Sequence, residues 1–229
     1  MGVDTALISA IRSGLAQHAD PVKAPAMQAY MKSEMPFRGV AKPERSALMK
    51  EILAARTLPD RASFSATVRA LWREACYREE RYAAIDLSGH RAYRRWQDPD
   101  LLALYDELIV TGAWWDYVDE IAIRRVGPIL RAHRAELTPA LLRWATGADP
   151  WRRRVALICQ VSGKDDVDRT LLTAAIEASE TEPDFFLRKG IGWALRDHAK
   201  TDPAWVRAFV RDHPRLSALS TREALKNLS

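Results

Sequence analysis

The chain has 229 residues, 48% hydrophobic and 28% charged, with 35 Lys and Arg against 30 Asp and Glu for a net charge of +5. That composition belongs to a globular chain able to bury a sizeable core, and it excludes a collagen-like or disordered one. Cys76 and Cys159 are the only cysteines and form no C-x-x-C pair, which excludes a disulfide framework and a cysteine zinc site and predicts two buried thiols in a reducing compartment.

The opening segment carries Asp4 and Arg12 within its apolar part and Ala6 where a myristoylation signal needs Ser or Thr, so neither a signal peptide nor a lipid anchor is expected. Asp60, after Pro59, is placed to cap a helix in which Val68, Leu71, Trp72 and Cys76 recur at helical spacing. Further helix starts are predicted at Pro43, Asp98-Pro99, Thr138-Pro139, Asp149-Pro150, Pro183 and Pro203, because proline in a first turn has no hydrogen bond to lose. No strand-like alternation and no apolar run of about 20 residues appears, so the expected fold is all-α and no membrane span is expected. The sequence pI of 9.4 points softly to an anionic partner.

The helices recur. Aligning ERYAAIDL, WDYVDEIA, RRRVALIC, LRKGIGWA and TREALKNL places Ala84, Asp119, Arg154, Lys189 and Ala224 in one column, each 35 residues after the last. Such a period predicts a HEAT-like helical-repeat solenoid, a single domain over 1–229 with a concave face lined by second helices; a plain bundle of similar hairpins is the duller alternative. Three charged residues in that column, a carboxylate followed by two cations, suit a groove that grips phosphates and does chemistry there. Trp115 precedes Asp119 by four residues and Trp193 follows Lys189 by four, so each indole shares a helix face with a charge. Trp72, Trp96, Trp144 and Trp205 read as core, Asp106, Asp116 and Glu120 rival Asp119, and only one or two of Arg152, Arg153 and Arg154 can face a groove. The five histidines share no spacing, and the phosphate-loop, serine-hydrolase and zinc-protease motifs are missing.

The segments MQAYMKSEMPFRGVAKPER, LIVTGAWWDYVDEIA, DPWRRRVALICQ, FFLRKGIGWALRDHAKTDP and LSTREALKN closely resemble the bacterial AlkD family of DNA alkylation-repair glycosylases, in the same order over nearly the whole chain. The resemblance implies a HEAT-like fold and excision of cationic purines such as 3-methyladenine and 7-methylguanine from duplex DNA, by a cytoplasmic monomer with no metal or organic cofactor. It places the catalytic carboxylate on Asp119, the two active-site indoles on Trp115 and Trp193, and the backbone-binding arginine on Arg154. Lys189, Tyr30 and Arg196 are further DNA-side candidates. A non-catalytic HEAT-like DNA-binding protein and a repeat scaffold for another protein are the rival readings.

Overall fold

The computed structural model describes residues 2–228, which form fourteen α-helices, short 3-10 turns and one π-helical turn, with no β-strand among them. The fold is an all-α helical repeat, as the spacing of apolar residues predicts. It divides into two compact units, Met1–Trp96 and Gln97–Ser229.

The first unit contains α1 (Thr5–Gln17), α2 (Ala24–Met31), α3 (Lys42–Ala55), α4 (Arg61–Arg73), α5 (Arg78–Ser88) and a 3-10 segment Arg91–Trp96. Its core is built from Leu7, Ile11 and Leu15 of α1, Leu53 of α3, Phe64, Val68, Leu71 and Trp72 of α4, and Ala83, Ala84 and Leu87 of α5. Asp60 caps α4 as expected, accepting from the Ser63 N–H at 2.7 Å. The loop before α3 is tied down by a carboxylate. Glu79, wholly buried, accepts the backbone N–H groups of Arg38, Gly39 and Val40 at 3.0, 2.9 and 3.1 Å. Gly39 has φ +86°, and a Cβ there would lie 2.1 Å from the Asp20 carbonyl oxygen, so only glycine fits this turn.

The second unit contains α6 (Leu102–Gly112), α7 (Trp115–Ile121), a π turn (Ala122–Val126), α8 (Gly127–Ala132), α9 (Arg134–Thr146), α10 (Pro150–Ile158), α11 (Arg169–Glu177), α12 (Phe185–His198), α13 (Pro203–Asp212) and α14 (Ala218–Leu225). Aspartate opens four of these helices: Asp149, Asp168, Asp184 and Asp202 each accept first-turn backbone N–H groups. Each such cap is worth about 1 kcal/mol, which explains the recurring Asp before a helix start. Thr138-Pro139 does not begin a helix; Pro139 lies inside α9, which starts at Arg134 immediately after α8 and loses the one bond that proline cannot donate. Pro128 likewise leaves the Arg124 carbonyl without its helical donor, and Arg125 Nη1 donates to it at 3.1 Å. The preceding turn opens to π geometry.

The 35-residue column is physical. Hydrogen bonds between successive helix pairs join residues 33 to 36 apart, among them Leu58 N–H to Tyr93 OH, Arg154 to Asp119, Ser162 N–H to Asp197, and Arg169 to Asp202. Ala84 and Ala224, the column's outer members, are fully buried. Arg154 is buried as well, while Asp119 and Lys189 are half-buried.

Two burial expectations are corrected. Cys76 is exposed in the α4–α5 turn while Cys159 is buried, its thiol pushed up to about 12 by burial. Of the four tryptophans read as core only Trp72 is buried; Trp96, Trp144 and Trp205 are half-buried, the broad indole covering the edge of the core. Trp205 packs edge-on against His198 at 5.2 Å. His198 is 4% exposed, neither ring nitrogen has a hydrogen-bond partner, and burial lowers its pKa. The unfolded chain takes up a proton near pH 6.5 that the folded chain resists, so stability is full above that pH and falls as pH drops below it. The urea midpoint is expected to fall between pH 7.5 and 5.5, and to fall less in His198→Leu; an identical decline in both proteins counts against this.

Candidate functional site

Asp119 lies in the second turn of α7 and Arg154 in the second turn of α10, at equivalent places in adjacent repeats. Arg154 Nε donates to Asp119 Oδ1 at 2.6 Å and Nη2 to Oδ2 at 2.8 Å, a two-pronged pair of the strongest kind available to neutral-pH side chains. Nη1 donates to the Phe186 carbonyl of α12. One guanidinium thus ties three helices together. It is 6% exposed against 15% for the carboxylate, so the pair is sunk with its negative end nearer solvent.

Burial pushes the Asp119 carboxyl above the ordinary aspartate value, the bonds and charge of Arg154 oppose that shift, and nearby Asp116 adds to it. The neighbouring arginines turn elsewhere. Arg152 grips Asp106 at 2.6 and 2.7 Å, and Arg153 reaches Glu182 at 2.8 Å and the Ala178 carbonyl. Successive helical residues point about 100° apart, and each of the three finds its own carboxylate.

Lys189 and Arg196 of α12 share one acid. Lys189 Nζ lies 3.0 Å from Glu223 Oε1, and Arg196 Nη1 donates to Oε2; the two cations hold the Glu223 carboxyl below its ordinary value, Lys189 contributing most. Gly192 makes this approach fit, since a Cβ there would stand 2.5 Å from Glu223 Cβ and 3.0 Å from the Ser220 carbonyl oxygen. Gly192→Ala is expected to push α14 away and cost about 1–3 kcal/mol, read as a lower urea midpoint. A stability gain there would show that α14 yields freely.

The family model for DNA alkylation repair enzyme matches residues 11–228. The chain belongs to that family. A solved structure described as a predicted DNA alkylation repair enzyme from Enterococcus faecalis is 32% identical, covers 93% of this chain and 97% of its own, and superposes with a TM-score of 0.83. No curated protein matches the chain.

In this family member the predicted residues fall into three places. Asp119 and Arg154 meet directly; Lys189 and Arg196 meet at Glu223; Tyr30 belongs to the first unit, where it is 73% exposed on α2. Trp115 opens α7 four residues before Asp119, and Trp193 lies on α12 four residues after Lys189. Both are half-buried, but so is every tryptophan except Trp72, so exposure alone does not single them out.

Sequence reasoning missed the supports. Trp114, Trp151 and Phe186, from the starts of α7, α10 and α12, form an aromatic cluster with ring centroids 5.1–6.3 Å apart, and Phe186 is the residue whose carbonyl anchors Arg154. Their spacings, 37 and 35 residues, carry the repeat signal and were readable by it. Glu223 sits 34 residues after Lys189, one short of the column, and Glu79 had no spacing signal at all. Among the described residues no group of three His, Cys, Asp or Glu is arranged to hold a metal, and no helix is long and apolar enough to cross a membrane.

Proposed function

We propose that this chain is a monofunctional DNA glycosylase of the HEAT-like repeat kind, hydrolysing the N-glycosidic bond of cationic alkylated purines, 3-methyladenine and 7-methylguanine, in duplex DNA. The observation that carries this reading is Asp119: a carboxylate partly open to solvent, locked by both oxygens onto a buried guanidinium, in a member of the DNA alkylation repair enzyme family.

Alkylation at N3 or N7 leaves the purine positively charged, so it departs without a general acid. The barrier lies in the positive charge growing on the deoxyribose. A carboxylate fixed beside that sugar stabilises it and orients the attacking water. Arg154 favours the ionised form of Asp119 and fixes its orientation, so the carboxylate needs no reorganisation as the sugar charge develops. Trp115 and Trp193 present the negative faces of their rings to the same cationic sugar and keep bulk water out. This reading assigns Arg154, Lys189, Arg196 and Tyr30 to the DNA backbone. No lysine Schiff base is involved, so the product is an abasic site. The protein acts as a monomer in the cytoplasm, on nucleoid DNA.

The test is release of free base from a duplex carrying one defined 7-methylguanine. Release by the wild-type protein supports the reading; duplex binding with no release would leave a non-catalytic DNA-binding protein.

A further inference from the structure

The 3-10 segment Arg91–Trp96 of the first unit presents a cluster of cations that the glycosylase reading does not use. Its sequence with the preceding residue is HRAYRRW, and a 3-10 helix repeats every three residues, which sorts these side chains by edge. His90, Tyr93 and Trp96 fall on one edge and pack in series, His90 to Tyr93 at 6.0 Å and Tyr93 stacked on Trp96 at 5.2 Å. Phe64 of α4 meets both Tyr93 and Trp96, at 4.8 and 5.3 Å. The Tyr93 hydroxyl accepts the Leu58 N–H at 3.1 Å, and Arg61 donates to the Trp96 carbonyl at 3.4 Å. The backbone is thereby nailed down, with a kink at Tyr93 between its two turns.

Arg91 and Arg94 lie on either side of the Tyr93 kink, three residues apart on this anchored segment. Arg95 leans over the Trp96 ring at 4.9 Å. All three are exposed, and among the described residues none has a carboxylate partner. Most other arginines of this chain are paired. Unpaired guanidinium groups on a rigid turn lose little order on binding, and their planar forks match phosphate oxygens.

We infer that Arg91 and Arg94 form a backbone-binding site that takes two phosphates of duplex DNA. This rests on the DNA reading above but not on its chemistry. The experiment is the dependence of log Kd on log salt for an undamaged duplex, compared among wild type, Arg91→Ser/Arg94→Ser, Arg91→Lys/Arg94→Lys, and a control, Arg131→Ser/Arg143→Ser, which removes two other exposed arginines. The serine pair is expected to flatten the slope by about 1.8, at roughly 0.9 per phosphate, while the lysine pair and the control keep the wild-type slope. An unchanged slope in the serine pair, or equal flattening in the control, overturns the site. A wild type that binds duplex in a salt-dependent way yet releases no base overturns the glycosylase reading alone.

Discussion

Asp119→Asn is expected to slow release of 7-methylguanine from duplex DNA by about 100-fold or more, roughly 2.7 kcal/mol of barrier at 1.36 kcal/mol per tenfold, with duplex affinity nearly unchanged. The amide keeps the shape and one acceptor for Arg154, but it loses the charge that opposes the growing sugar cation. It also turns an N–H toward a guanidinium that now donates to an oxygen at 2.8 Å. Affinity survives because a carboxylate repels phosphates, so its removal takes away no attraction. Leaving a buried arginine without its counter-charge costs stability, about 3 kcal/mol, so release is compared per folded molecule, in a single turnover. Asp116→Asn on the same helix is the control, and an equal loss there would move the assignment off Asp119. The acid limb follows in sign. The carboxylate acts in its ionised form and burial raises its pKa above the ordinary aspartate value, so release should fail on acidification at a higher pH than an ordinary aspartate would give.

Glu79→Ala is expected to lower stability by about 3–5 kcal/mol, equivalent to roughly 10 °C in melting temperature for a chain of this size. Three consecutive backbone N–H groups, of Arg38, Gly39 and Val40, converge on this one carboxylate. With the side chain gone, donors buried against the α5 start have no acceptor, and each orphan costs about 1–3 kcal/mol. Glu79→Gln keeps one oxygen in the same place and should lose less. Urea unfolding of the three proteins decides it: a loss below about 1 kcal/mol for Glu79→Ala would mean that the loop finds other acceptors.

The helices were legible because their signals are local. Asp before a first turn, proline at N1 and apolar spacing of three and four need no tertiary knowledge, and they place α4, α10 and α13 well. Thr138-Pro139 failed because proline is tolerated inside α9 once the helix has begun upstream and packing offsets one missing bond. Cys76 and three tryptophans failed for a related reason. Residue type sets a preference for burial, but the position of each side chain relative to its neighbours sets the outcome.

The sequence by itself determined the repeat, and with it that residues about 35 apart would be neighbours; the period is a covalent property of the chain, and stacked helix pairs turn it into contact. It also determined the family, because the matching segments run in order along the chain. Only the tertiary structure decided what the charged column does. Asp119 and Arg154 read as separate lining residues, yet they bind each other, because a buried guanidinium and a half-buried carboxylate are each too costly alone. The same force drew Glu223 to Lys189 and Arg196 and sent Arg152 and Arg153 to acids of their own. Which arginines stay unpaired, as Arg91 and Arg94 do, depends on which carboxylates are in reach, and that is settled only when the helices pack.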